Sequence, residues 1–422
     1  MNRRVLKKKF NQEVIYNVHG ERNSKVRIAL RFSSLCLKAL GGALLTLVLA
    51  PISLFRPIEI WQLRYRRAKI SLMIEDLEWG LRNLQARRLK EKVVVIAIYK
   101  LPFPNSQLAK MYRRVLFLLG VRQILLSKCL HFVLPIGRIS KKNPVERYEA
   151  MYKTWNQGSP SLSFTEREKL RGCELEEKMF GGVSPPFVCF AIPSRKYKLA
   201  IDVPTTKFHG ELIDDPFSAI PSLDSYLPVI QKLVASGIAV VRMGFLEEER
   251  LPDGLGPLVI DYAIDFRSEF GDLWLHSNCQ FSFCVGGAGS HWFGALFNRP
   301  TLITDSYALR STFDHRDLLI PMRGWLTDKG RYLTFSEIGN GEFARDIELL
   351  RSGLEIVKNS PEEISDVTTE MILRLSGKWE ETEEDRELQA RYRRVVDSFQ
   401  YQHRAPARMG AKFLREHQYL LP

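Results

Sequence analysis

Five small residues, Gly286-Gly287-Ala288-Gly289-Ser290, follow the apolar run FSFCV (281–285) and precede a stretch of helical spacing. Such a turn leaves backbone N–H groups unpaired at the start of a helix, where the helix dipole adds positive potential, so it can hold a phosphate. It lacks the Lys of a P-loop and is not the first strand-to-helix turn of its domain, as a dinucleotide fingerprint is. It therefore reads equally as a tight turn that needs small side chains.

Arg242 closes a second apolar run, IAVVR (238–242), and converges with Ser290 on one crevice if the two runs are strands of the same parallel sheet. A guanidinium is a planar fork that donates to two phosphate oxygens at once, although a salt-bridged structural Arg satisfies the pattern too. Asp261 and Tyr262 end the strand between them (258–260), where a carboxylate either accepts from ribose or base N–H groups or caps a turn. His291 lies in the first turn of the helix after the glycines, where the dipole disfavours a cation, so it is read as a polar ligand contact rather than a general base. Asp305, after the strand 301–304, is a weaker candidate of the same type as Asp261. The His and acidic residues show no metal-ligand spacing such as H-E-x-x-H, so neither a protein-bound metal nor a resident cofactor is expected.

The elements that must hold these residues follow from the pattern around them. Strands at 238–242, 258–260, 281–285 and 301–304 alternate with helices at 226–235 and 268–278, the pace of a doubly wound α/β sheet whose ligands sit at the carboxyl ends of its strands. Upstream, KVVVIAI (92–98) has the form of a strand buried on both faces and opens a first α/β domain, with a helix over 107–120 and a polar helix around 164–178. The expected organisation is a basic segment 1–31, a hydrophobic anchor 32–56, amphipathic helices over 57–91, a first domain 92–220, a second 221–376 and a helical tail 377–422.

Charge and hydropathy decide between partners. The 422 residues carry a formal charge of +14, and residues 1–100 hold 21 Lys and Arg against 7 Asp and Glu, leaving 41 of each sign in the remainder. A basic excess confined to one end and bracketing an apolar segment fits an anionic lipid surface better than a groove tracking nucleic acid, which is not expected as a partner. The apolar segment Ala39–Phe55 has 17 residues without a charge, and as a helix it spans about 26 Å, slightly under the roughly 30 Å of a hydrocarbon core. Gly41, Gly42 and Pro51 invite a kink or re-entrant shape, and basic residues on both flanks give no orientation, so the reading is an anchor embedded in the membrane, with a buried core helix as the alternative. The six cysteines form no C-x-x-C pair, which suits a reducing compartment.

The runs VVRMG (240–244), VIDYA (259–263), SEFGDLWL (268–275), NCQFSFCVGGAGSHWFGALFNRP (278–300) and NSPEEI (359–364), with EM (370–371), together resemble a bacterial family of glycosyltransferases of surface-polysaccharide synthesis. Asn105, Leu108, Met111 and Arg114 match it more loosely. The resemblance implies two Rossmann-like domains facing a cleft, a GT-B arrangement, with a nucleotide sugar in the second domain and a glycan or lipid-linked acceptor facing the first. It implies work at the cytoplasmic face of the inner membrane. Arg242 followed by Gly244 also resembles the donor-diphosphate motif of fucosyltransferases, but Phe245 stands where those enzymes often keep an acidic residue, so neither a fucosyl donor nor a guanine nucleotide follows. The catalytic base on the acceptor side is assigned to His209 or Glu211, near the domain junction. Competing readings are a non-catalytic membrane-tethered scaffold and a methyltransferase or dehydrogenase, the last disfavoured because its glycine fingerprint would follow the first strand.

Overall fold

The computed structural model describes residues 21–63, 70–89, 92–100, 103–121, 129, 132–142, 155–193, 207–208, 211–212, 221–244, 249–286, 289, 291–306, 309, 314–338, 353–399 and 407–422. The chain divides into two compact units, one of residues 1–62, 92–102 and 118–142 and the other of residues 63–91, 103–117 and 143–422.

The first unit is built on a four-stranded sheet of β1 (Ile58–Gln62), β2 (Val94–Lys100), β3 (Phe117–Val121) and β4 (Ile139–Lys142), in the order β3-β2-β1-β4. β1 lies parallel to both β2 and β4. Two sequence expectations are corrected here: 58–62 is a strand rather than part of an amphipathic helix, and the helix expected over 107–120 is only Ser106–Tyr112, followed by β3. The physical reason is the same in both cases, since short apolar runs fit either period until neighbouring strands bury them. Ile58 and Ile60 are fully buried among Ile98, Val133 and Ile139.

The segment expected as an anchor falls on the helix Glu21–Phe55. Its stretch Leu35–Phe55 has 21 residues with a mean hydropathy of 2.0. One face is packed: a Cβ on Gly41 would collide with Cys129 and one on Gly42 with Phe132, and the Thr46 hydroxyl receives the Leu134 N–H at 2.9 Å. The rest carries Leu40, Leu44, Leu47, Val48 and Leu54, all exposed. An apolar stripe of this size open to solvent is the opposite of a buried core helix.

The second unit is built on a seven-stranded, wholly parallel sheet. Its strands are β5 (Phe187–Ala191), β8 (Ala239–Met243), β9 (Val259–Ile260), β10 (Ser282–Val285), β11 (Thr301–Ser306), β12 (Leu318–Pro321) and β16 (Arg408–Met409), in the order β16-β12-β11-β10-β5-β8-β9. The chain starts at the middle with β5, moves outward to β8 and β9, then crosses back past β5 to lay down β10, β11, β12 and β16. That is the doubly wound order with a switch point between β5 and β10. Smaller pieces complete the unit: the pair β6 (Lys207–Phe208) and β7 (Glu211–Leu212), and a three-stranded antiparallel sheet of β13 (Arg323–Leu326), β14 (Arg331–Tyr332) and β15 (Leu354–Val357).

This sheet corrects the expected boundaries at 220 and 376. β5, which lies within the range expected for the first domain, is an interior strand here between β10 and β8, and the tail contributes β16 at the edge. Alternate residues of each strand feed two cores, as period two requires. Val188, Phe190 and Val240 face one, with Tyr392 and Met371 of the helices Glu383–Ser398 and Pro361–Leu375. Phe187, Cys189, Ala239 and Val241 face the other, with Trp274 of the helix Glu269–Asn278. Three of the flanking helices begin with a capping box, Thr165 with Glu168, Ser360 with Glu363 and Thr382 with Asp385, which satisfies orphan N–H groups at each start.

Candidate active site

The carboxyl ends of adjacent parallel strands collect the residues that the sequence singles out. Arg242 is the penultimate residue of β8, Asp261 follows β9, Gly286 follows β10, and Asp305 is the penultimate residue of β11. Gly286 sits at the switch point with φ of +57°, a left-handed conformation that favours glycine, and its N–H donates to the Thr304 carbonyl at 2.9 Å. Gly289 continues the turn into the helix His291–Leu296, whose first residue, His291, is buried. Gly287, Ala288 and Ser290 lie outside the described residues.

Arg242 takes the structural role that the sequence left open beside phosphate binding. Its Nη1 donates to both Asp261 oxygens, at 3.2 and 3.0 Å, and to the Glu249 carbonyl at 2.7 Å, with the side chain 8% exposed. Asp261 also accepts the Leu251 N–H at 2.9 Å. The pair clamps the ends of β8 and β9 and the chain after them, and Gly244, half-buried, follows directly. The diphosphate and ribose contacts expected of Arg242 and Asp261 thus fall on two side chains that pair with one another.

Tyr262, the neighbouring donor-contact candidate, is tied to the chain that follows it. It is fully buried, its hydroxyl donates to the Ser268 carbonyl at 2.8 Å and to Asp272 at 3.1 Å, and it accepts the Ser268 N–H at 2.9 Å. Burial of Asp272 pushes its carboxyl up to about 6 despite the Arg267 guanidinium 3.0 Å away. On the same helix, burial pulls His276 down to about 4.

Asp305, the weaker candidate of the same type, has partners that the sequence did not reveal. It is buried, and its φ of +50° is strained for a residue with a Cβ. The strain is held by four hydrogen bonds: Asp305 accepts from the Tyr226 hydroxyl at 2.7 Å and the Asn359 N–H at 2.7 Å, its own N–H donates to Asn359 Oδ1 at 2.6 Å, and Tyr226 meets Thr304 Oγ1 at 2.9 Å. Asn359 Nδ2 donates to the Pro321 carbonyl at the end of β12. Burial of Asp305 raises its carboxyl above the usual carboxylate range. Asn359 opens the run NSPEEI, so part of that run is explained as the tie between β11, β12 and the following helix.

Glu363 of the same run anchors a second tie. Its carboxylate accepts from Arg323 at 3.0 Å and from the Ser360 N–H at 2.8 Å, and lies 2.6 Å from His417 Nε2. Burial alone would raise Glu363, but hydrogen bonds from His417 and the Ser360 N–H and the charge of Arg323 hold it below its ordinary value. Tyr226, Arg323 and His417 carried no motif signal. Each is an ordinary residue whose role arises only from long-range packing.

The side chains of the two candidates for a base lie outside the described residues. Glu211 lies in the short pair β6 and β7, opposite Phe208, with its side chain outside the described residues, as is His209 altogether. Among the described residues no group of three His, Cys, Asp or Glu side chains is placed to hold a metal ion.

No family model matches the chain, and no curated protein matches it. Among solved structures, it is similar to the ADP-heptose LPS heptosyltransferase II of E. coli, with 13% identity over 76% of this chain and 99% of that one, at a TM-score of 0.39. It is also similar to the glycosyl transferase family 9 protein of Veillonella parvula DSM 2008, with 10% identity over 61% of this chain and 82% of that one, at a TM-score of 0.35.

Proposed function

We propose that this protein is a membrane-associated glycosyltransferase that moves a sugar from a nucleotide-sugar donor to a glycan or lipid-linked acceptor in bacterial surface-polysaccharide synthesis, at the cytoplasmic face of the inner membrane. The observation that carries the reading is the switch point between β5 and β10, where a left-handed Gly286 starts the small-residue turn in the crevice that doubly wound sheets use for nucleotides. The sequence runs at 240–244, 259–263, 278–300 and 359–364, which resemble such enzymes, fall on that edge or on its ties.

In this reading the turn 286–290 and the residue after it, His291, receive the donor diphosphate through backbone N–H groups, with no metal and no resident cofactor required. Arg242–Asp261, Tyr226–Asp305–Asn359 and Tyr262–Asp272 act as positioning groups that hold the crevice open at the right width. His209 and Glu211 remain the acceptor-side base candidates. The exposed apolar face of the helix Glu21–Phe55, with its basic flanks, supplies the membrane contact and a reason for a lipid-linked acceptor.

The test is thermal unfolding of the full chain in mild detergent against UDP, GDP, CMP and TDP species and their sugars, with NAD and S-adenosylmethionine as controls. A ligand present at 100 times its Kd stabilises by about 2.7 kcal/mol, a shift of several degrees. A shift with one nucleotide class names the donor family, and none with any class moves the reading to the tethered scaffold. A shift with a control alone overturns it.

A further inference from the structure

The amino ends of the seven-stranded sheet carry a cleft of their own. It has a volume of about 670 Å³ and is lined by Arg316, Arg374, Arg393 and Arg408 with His315 and Gln389. Arg316 lies just before β12 and Arg408 opens β16, so the cleft is on the edge opposite Gly286. Arg374 ends the helix Pro361–Leu375, and Gln389 and Arg393 lie one turn apart on the helix Glu383–Ser398.

Two features separate this cluster from an ordinary surface salt-bridge network. The first is cation crowding: Glu381 accepts from both Arg374, at 3.4 Å, and Arg408, and burial together with the charge of Arg374 holds Arg408 below its ordinary value. The second is unused donors. Gln389 is 6% exposed and lines the cleft, yet its Nε2 has no hydrogen-bond partner, and neither does Arg408 Nε. Burying a donor without an acceptor costs free energy, so its presence beside clustered guanidinium groups calls for an acceptor-rich anion.

We infer that this cleft is a binding site for a phosphate or diphosphate group, distinct from the carboxyl-edge crevice. Guanidinium forks match phosphate oxygens in pairs, and Gln389 Nε2, buried behind the wall, becomes a further neutral donor when its amide turns towards the ligand. The volume suits a small phosphorylated molecule or a lipid headgroup. The two sources share this chemistry and differ in whether a bilayer must present it.

Calorimetric titration of the full chain in neutral detergent with inorganic pyrophosphate, alongside flotation with phosphatidylcholine vesicles with and without phosphatidylglycerol, separates them. Arg316→Gln and Arg393→Gln remove rim charge, and Lys169→Gln, on an exposed helix face away from the cleft, controls for net charge. Matching unfolding midpoints establish that the variants fold. Pyrophosphate binding weakened about tenfold or more by each rim variant and untouched by Lys169→Gln is the expected result and assigns a soluble ligand. Phosphatidylglycerol-dependent flotation lost in the same two variants, without pyrophosphate binding, also supports the site and assigns a lipid headgroup. Anion binding that is absent from both arms, or that the control variant weakens as much as the rim variants, overturns it. The nucleotide-induced shift of the rim variants reads the carboxyl-edge site separately, so either site can fail without the other.

Discussion

The two edges of the seven-stranded sheet use the same residue types to opposite ends. At the carboxyl edge, Arg242 and Asp261 satisfy one another and the surrounding backbone, and Asp305 is ringed by Tyr226 and Asn359. At the amino edge, Arg374 and Arg408 share the carboxylate of Glu381, with Glu370 as a second partner of Arg374, and a buried amide Nε2 has no acceptor. A buried ionic group whose valences are used internally is architecture. Donors left over in a crowded cationic cleft are capacity for a ligand.

The comparison breaks most directly on paired arginine substitutions. Arg242→Ala leaves Asp261 as a buried carboxylate without its counter-ion, and removing one partner of such a pair costs about 3–5 kcal/mol. Arg408→Ala leaves Arg374 to hold Glu381 and removes a repulsion, in a half-exposed setting where an ion pair contributes about 1 kcal/mol or less. Urea unfolding of the two variants is expected to separate them by at least about 2 kcal/mol. Equal losses would mean that the amino-edge cluster is as structural as the carboxyl-edge pair.

Acidity sharpens the contrast through two buried groups on the helix Glu269–Asn278. Asp272, behind Tyr262, has its carboxyl raised to about 6. It therefore contributes stability that is present below its unfolded value and lost as pH rises through 6. His276, lowered to about 4, does the reverse, since the unfolded chain takes up a proton first and stability falls as pH drops from its unfolded value towards 4. Each amounts to about 3 kcal/mol, with opposite sign, so between them the native protein is nearly flat from about pH 4 to 6. Asp272→Asn exposes the His276 slope, and its stability relative to the native chain rises from pH 4.5 to 6.5. His276→Asn exposes the Asp272 slope and falls over the same interval. Urea midpoints at the two pH values check both signs, and parallel behaviour of all three proteins would remove these groups from the account.

How much of this was legible depends on how local each signal is. The strand-to-helix alternation from 226 to 304 was readable because consecutive elements of a doubly wound sheet are each complete in period and punctuation, and the observed strands β8 to β11 fall on the runs expected. β5 was misassigned because its place beside β10 is fixed by pairing across some ninety residues, which no local pattern encodes. β1 was read as helix because IEIWQ is too short to declare a period. In the candidate site, the polar residue types at the strand ends are legible, and their partners are not. Arg242, Asp261, Tyr262 and Asp305 announce polar chemistry at a sheet edge, and the structure adds their partners Glu249, Asp272, Tyr226 and Asn359. The amino-edge cleft was illegible altogether, since its arginines come from four separate segments, none with a motif.

The smallest effect carries the sharpest distinction between the edges. Gln389→Leu replaces a buried amide lacking a partner for its Nε2 with an apolar side chain of similar size, among neighbours such as Leu388 and Tyr392 that are already buried. Removing an unsatisfied donor stabilises by about 1 kcal/mol where the shape is kept, so the variant is expected to unfold at slightly higher urea than the native chain. The same change takes a donor from the cleft wall and weakens pyrophosphate or phosphatidylglycerol recognition. A gain in stability coupled to a loss of anion binding is the signature of a group retained for a ligand rather than for the fold. A loss of stability would mean that the amide is tied into the architecture after all, and the two edges would then differ only in how exposed their ion pairs are.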